Sequence, residues 1–207
     1  MKLYSTTGAP NPDRVTFFLK EKGALDKVEI VEFNLMKGEH RNEAYKAVNP
    51  VQRVPSLQLD DGTVLAESRA ICTYLESVFP EPNLMGKTPL ERAQIEMWDR
   101  RVELMLMMGI AGWFRHGHKA AAALEPVQCK EWSELSGAAT KKAADYFDKV
   151  LKETEYVAGD RFTNADITLF ICMNFALYMR EKLWEGREGL SRWYQAMQSH
   201  PMAVREG

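Results

Sequence analysis

NPVQRVPSLQLDDGTVLAESRAICTYLESVF, residues 49–79, carries the pattern around which the rest of the chain is arranged. Leu57, Leu59, Val64 and Leu65 alternate with polar residues on either side of Asp61-Gly62. Glycine supplies the positive φ that a tight hairpin turn demands, so two antiparallel strands are expected over 56–66. Pro55 has no N–H for a sheet ladder and so belongs at a strand start, and it presses Val54 into an extended conformation. Val54 then presents a free N–H and C=O at the sheet end. After the hairpin, Ile71, Leu75, Val78 and Phe79 recur at helical spacing, which makes Ser68 an N-cap or first-turn residue. Unpaired N–H groups at that helix start suit a carboxylate. An extended backbone pair and an anion socket at neighbouring ends of one hairpin fit a short acidic peptide.

A chain of 207 residues with 45% hydrophobic content can bury one sizeable core or two small ones. A net charge of -2 and a pI near 6.1 provide no field to gather nucleic acid or an anionic membrane, so neither is an expected partner. Cys72, Cys129 and Cys172 are scattered without a C-x-x-C pair, which predicts reduced thiols and no metal site. MKLYSTTGAP has no apolar signal core, and the most apolar run, 104–114, is too short to span a bilayer. The expectation is a soluble cytoplasmic protein.

Outward from the hairpin, 2–5 reads as a strand and 6–10 as loop. Asn11 and Pro12 read as N-cap and first helical residue, with Val15, Phe18 and Leu19 facing inward and Gly23 as the stop. A second strand over 28–33 and a loop over 34–49 follow. The order βαβ then ββα matches a thioredoxin-like α/β domain over 1–79. Pro80, Pro82, Asn83 and Gly86 mark a linker, 80–89, whose Thr88-Pro89-Leu90-Glu91 is a capping box. From there the periodicity is purely helical, predicting an all-α bundle over 90–207. One helix runs 92–116, another passes through Tyr146, Phe147, Val150 and Leu151, and a late one carries Leu190, Trp193, Tyr194 and Met197 up to Pro201. Between them Thr163 and Asp166 form a second capping box, with Phe162 stapling onto Ile167. Asp166 is therefore read as a cap rather than a catalytic acid.

V-P, then a hairpin, then E-S and a helix, with a capping box opening a buried helix later on, resembles the cytosolic glutathione transferases over essentially the whole chain. NLMKGEHR, GTVLAES, GKTPLERAQIEMWDRR and YVAGDRFTNADIT are similar to a fungal and bacterial branch typified by a yeast transferase, and KGEH has theta-class character. The resemblance implies a cis Pro55, with Val54 pairing with the cysteinyl part of glutathione and Glu67 with Ser68 holding the γ-glutamyl end. It also implies His40 and Arg53 as two cations on the glycine carboxylate. Asp99 would reach a partner subunit's glutathione ammonium, or else is a solvated acid. Glutathione is then a co-substrate, no cofactor is needed, and the protein is a homodimer that adds the glutathione thiolate to small apolar electrophiles. Some relatives also reduce organic hydroperoxides. The alternative from another class is a non-catalytic binding or interaction module on the same fold.

A thiol with a pKa of about 8.5 is a few per cent ionised at pH 7, and lowering that pKa by about two units takes roughly 2.7 kcal/mol. Candidate donors to the sulfur are the N-terminus of the first helix and the side chains of Ser5, Thr6, Thr7 and Asn11. Asn11 stands where other classes place Ser or Cys; it is equally a plain N-cap, and lacking a thiol it disfavours disulfide chemistry. Tyr4 lies within the first strand and points elsewhere. The branch resembled implies a water held by a side chain, for which His116 or His118 is available. Met105, Met107, Met108, Trp113 and Phe114 supply an adaptable apolar face for the second substrate, or else simply core.

Overall fold

The computed structural model describes residues 1–203; the last four residues of the expected helical stretch lie outside it. The chain divides into two units, Met1–Asn83 and Leu84–Gly207.

The first unit holds β1 (Lys2–Ser5), α1 (Pro10–Glu21), β2 (Glu29–Glu32), α2 (Glu43–Val48), β3 (Ser56–Gln58), β4 (Val64–Ala66) and α3 (Ser68–Val78). The sheet order is β2-β1-β3-β4, with β1 parallel to β2 and antiparallel to β3, which is the thioredoxin-like arrangement. Leu3 and Leu57 pair across β1 and β3 and are fully buried, as are Val15, Phe18 and Leu19 of α1 and Ile71 and Leu75 of α3. Each such side chain contributes about 2 kcal/mol by leaving water.

Sequence and structure differ at α1. The helix begins at Pro10, with Ala9 as N-cap, so Asn11 is a first-turn residue and not the cap. Pro10, not Pro12, takes the first helical position, where a missing N–H costs nothing. The other end behaves as expected: Gly23 (φ +57) and Ala24 donate to the carbonyls of Lys20 and Leu19, closing a Schellman motif. The expected loop 34–49 contains two 3-10 turns and the short α2, whose cap is Asn42 accepting from the Tyr45 N–H at 2.7 Å. Six residues are too few for a periodicity to show.

The expected linker is anchored rather than loose. Buried Lys22 donates to the Pro82 carbonyl at 2.5 Å and pairs with Glu76, which also takes the Asn83 amide at 2.8 Å.

The second unit is all-helical: α4 (Pro89–Val102), a π turn (Glu103–Met107), α5 (Met108–Gly117), α6 (Lys130–Glu153), α7 (Asn164–Ala176) and α8 (Glu188–Gln198). The single helix expected over 92–116 is thus two segments joined through a wider turn. Thr88 caps α4 by accepting from the Glu91 N–H at 3.1 Å. Glu91 also accepts from the Lys87 N–H at 2.7 Å and from Arg161. Gly109 and Gly112 on α5 face Thr140 and Ser136 on α6, and a Cβ at either glycine would meet those hydroxyls at 2.6 Å.

The Thr163–Asp166 box opens α7, which is buried on nearly every side. Asp166 is fully buried and accepts four hydrogen bonds. Oδ1 takes the Val157 N–H (2.9 Å) and the Trp193 indole (3.0 Å); Oδ2 takes the Thr163 N–H (3.0 Å) and hydroxyl (3.1 Å). Burial pushes its pKa up to about 6 against the pull of those donors. The Phe162 ring stacks on His200 at 4.5 Å. Asp166→Asn keeps the shape but turns an NH2 toward two donors, so it is expected to lower stability by about 3 kcal/mol, read from the urea midpoint at unchanged m-value.

Candidate functional site

The register of β3 and β4 sets the site. Ser56 pairs with Ala66, so Val54, two residues before one, and Ser68, two residues after the other, lie at the same end of the hairpin. The Val54–Pro55 peptide is cis. Gln52 (φ +52) and Glu67 (φ +68) carry left-handed backbone next to these two segments, a conformation that costs a non-glycine residue about 1–3 kcal/mol.

Ser68 is buried at the start of α3, where the first-turn N–H groups have no partner within the helix. Its hydroxyl donates to Asn11 Oδ1 and accepts from Arg14 Nη1, both at 3.3 Å. The first turn of α1, the start of α3 and a guanidinium thus meet at one point. Arg14 is only 2% exposed and was missed in the sequence. Its signal was position: it shares the inward face of α1 with Val15 and Phe18. Glu67 beside it is exposed.

Arg53 is exposed, whereas His40 is 6% exposed and its Nδ1 has no hydrogen-bond partner. Burial and the neighbouring charge of Arg41 hold the His40 pKa below its ordinary value. The expected pair of cations therefore becomes one cation and one neutral imidazole near pH 7.

Two of the hydroxyl candidates for the sulfur, Thr6 and Thr7, already have partners. Thr6 donates to the backbone at the Ser5 and Phe33 carbonyls (both 2.9 Å), and Thr7 donates to Glu32 at 2.9 Å. Ser5 is buried on the inner face of β1. A hydroxyl has one proton, which Thr6 shares between two carbonyls and Thr7 directs at Glu32, so either would have to give up these bonds to reach a thiolate. Tyr4 donates to Gln58 at 3.0 Å and stacks on Phe33 at 6.0 Å. Asn11, exposed, keeps its Nδ2 donor while Oδ1 accepts from Ser68.

In the helical unit, the Nδ1 atoms of His116 and His118 accept the backbone N–H groups of Cys129 and Ala120, each at 3.2 Å. Only Nε2 of each ring remains for another partner. The apolar candidates do not gather on one face. Met105 and Met108 are 39% and 60% exposed, and Met107 is buried. Trp113 packs on Gly137 of α6, whereas Phe114 lies 5.5 Å from Phe175 and 5.9 Å from Tyr178.

Asp99 is neither a solvated acid nor available to a ligand of another subunit. It is 0% exposed and accepts from Asn164 (2.8 Å), Thr168 (2.5 Å) and Arg100 (3.2 Å). It joins α4 to α7.

Among the described residues, no three His, Cys, Asp or Glu side chains gather as a metal site, and no helix is long and apolar enough to cross a membrane.

Residues 9–78 match the family model for the glutathione S-transferase N-terminal domain, and residues 110–201 the model for its C-terminal domain. Glutathione S-transferase 2 of Saccharomyces cerevisiae is 40% identical over 97% of this chain and 87% of its own length. Glutathione S-transferase GstA of Escherichia coli O157:H7 is 31% identical over 97% of this chain and 94% of its own. The crystal structure of Gtt2 from Saccharomyces cerevisiae superimposes with a TM-score of 0.92 at 40% identity, covering 98% of both chains.

Asp99→Ala would strand two buried donors, Asn164 and Thr168. It is expected to cost about 3 kcal/mol in urea unfolding while changing the Kd for S-methylglutathione, measured by calorimetry, less than twofold.

Proposed function

The chain belongs to the glutathione S-transferase family, and from that premise we infer that its first unit cradles glutathione between Val54 and Ser68. It is an enzyme, a glutathione transferase. The observation that carries the proposed cradle is the Ser56–Ala66 register, which puts the extended segment at Val54 and the start of α3 at the same end of the hairpin.

In this reading the cysteinyl backbone of glutathione pairs with the N–H and C=O of Val54 beside Pro55. Its γ-glutamyl carboxylate takes the first-turn N–H groups of α3 and the Ser68 hydroxyl, whose proton turns from Asn11 Oδ1 to the ligand. The Arg14 guanidinium, 3.3 Å from that hydroxyl, adds positive charge beneath the carboxylate. The exposed Glu67 accepts the γ-glutamyl ammonium. Arg53 supplies the charge for the glycine carboxylate, and His40 supplies an N–H that becomes a second charge only once the carboxylate arrives.

Catalysis is the lowering of the thiol pKa and the aiming of the thiolate at an electrophilic carbon of an apolar molecule. Asn11 donates to the sulfur through Nδ2 and its backbone N–H, since Pro10 and Pro12 carry no N–H and the Asp13 N–H is taken by the Ala9 carbonyl at 3.0 Å, and the positive end of that helix favours the ionised form. As the thiolate attacks, a carbon–sulfur bond forms and the leaving group departs with the displaced electron pair. The exposed Met105 and Met108 are the proposed apolar contacts of the second substrate, whereas Trp113 against Gly137 and Phe114 beside Phe175 pack within the helical unit. The enzyme is proposed to act as a cytoplasmic homodimer, a placement in keeping with its three free thiols. Neither nucleic acid nor membrane is a proposed partner.

The test is retention on glutathione-agarose followed by conjugation assays with a nitroaryl halide and a panel of other electrophiles and hydroperoxides. Retention with turnover is expected, and Ser68→Ala should weaken S-methylglutathione binding about tenfold, roughly 1.4 kcal/mol. A protein that is not retained, or a Ser68→Ala variant that binds as well as the parent, overturns the cradle. Asn11→Ala should lower kcat at least tenfold; survival within twofold would hand the sulfur to a water held by Nε2 of His116.

His40 gives a pH signature with a definite sign. Its pKa in the unliganded protein lies below the ordinary value, and a bound carboxylate raises it, so binding takes up a proton. The Kd for S-methylglutathione, which has no titrating thiol, should therefore tighten as pH falls from 8 toward 5.5. Calorimetry in buffers of different ionisation enthalpy should show the uptake, and His40→Gln should abolish both effects. A pH-independent Kd in the parent protein would remove His40 from the site.

A further inference from the structure

Four hydrogen bonds, two buried and two part-buried, bracket Val54, and neither the sequence nor the proposed cradle uses the side chains that make them. Tyr45 lies in α2 and Asn49 immediately follows it; both are nearly inaccessible, as is Ser56 at the start of β3. The Tyr45 hydroxyl donates to the Arg53 carbonyl at 2.6 Å, and Asn49 Nδ2 donates to the same carbonyl at 2.9 Å. The second proton of Asn49 Nδ2 goes to Ser56 Oγ at 2.9 Å, and Ser56 Oγ lies 3.0 Å from the Tyr45 hydroxyl.

The proton count closes. Tyr45 gives its one proton to Arg53, Ser56 gives its one to Tyr45, and Asn49 gives one each to Arg53 and Ser56. Asn49 Oδ1 is occupied by the Val51 N–H at 3.1 Å. The Tyr45 ring is itself wedged between Tyr4, 5.3 Å away, and Phe33, 4.7 Å away. Such a ring, with its donors and acceptors satisfied, favours a single arrangement, whereas a half-satisfied one would be costly.

What the ring holds is a peptide plane. The Arg53 carbonyl and the Val54 N–H belong to one peptide, which is trans, so the two bonds point in opposite directions within one plane. Two donors on the carbonyl fix that plane, and hence fix the direction of the Val54 N–H away from the ring. We propose that Tyr45 and Asn49 are positioning residues for glutathione: they aim the Val54 N–H at the cysteinyl carbonyl before the ligand arrives. The proposal rests on the reading that Val54 pairs with that carbonyl. In an unpinned loop the same N–H would have to be oriented on binding, and affinity would fall by the cost of ordering it.

The experiment measures binding of two ligands to the full-length protein by calorimetry. One is S-methylglutathione; the other replaces its cysteinyl–glycine amide by an (E)-alkene, which keeps the shape and removes the carbonyl. The parent protein should prefer the amide ligand by about tenfold or more. Tyr45→Phe and Asn49→Ala, each shown to be folded by circular dichroism, should lose about tenfold for the amide ligand and less than twofold for the alkene. Variants that bind the amide ligand as well as the parent overturn the proposal, as do variants that lose equally for both ligands, since that marks general damage. A parent protein indifferent to the two ligands shows instead that Val54 does not pair with the carbonyl, and the proposal goes with that reading. Should one variant fail to fold the other decides, and Ser56→Ala, which removes the donor to Tyr45, should show the same pattern at smaller size.

Discussion

The pairing of Ser56 with Ala66 is the constraint on which the rest depends. A strand pair has a side-chain period of two, so its register decides both which residues enter the core and which chain segments leave from the same end. Here that register buries Leu57 against Leu3 and delivers Val54 and the start of α3 to one place. A slip of one residue would turn Leu57 to the opposite face and separate the two segments. The apolar core and the candidate site are thus consequences of one alignment, and the core is what holds it.

Around that alignment the unit adds polar anchors that are each nearly fully paired. Ser68 is held from α1 by Asn11 and Arg14, and the Arg53 carbonyl is held from the α2 region by Tyr45 and Asn49. Buried polar groups are costly unless satisfied, so networks of this kind define a single arrangement. The positive φ at Gln52 and Glu67 persists between them because the surroundings leave little alternative. The helical unit uses the same device for stability. Asp166 gathers four donors at the start of α7, and Asp99 joins that helix to α4.

The parts legible in the sequence were those with local signatures: the hairpin around Asp61-Gly62, the Schellman end at Gly23, the box at Thr163 and Asp166 and the long helical periodicities. What escaped depends on contacts between distant residues. Arg14 meets Ser68 across 54 positions, and nothing in the local pattern of α1 names that partner. Asp99 has no cation three or four residues ahead of it, and its partners Asn164 and Thr168 are more than sixty residues away. The hydroxyls of Thr6 and Thr7 were available by position alone; Phe33 and Glu32, brought alongside by the parallel β1–β2 pair, take their protons. The α1 cap moved by two residues because two prolines compete for the first turn, and the first one suits it.

The central claim is that Val54 and the start of α3 form one binding surface for one ligand. The most direct measurement is amide chemical-shift titration of the 15N-labelled protein with S-methylglutathione. The account predicts that the Val54 and Ser68 amides shift together, among the largest changes in the spectrum, and report the same Kd. Shifts at only one of the two, or at neither while others move, would contradict it.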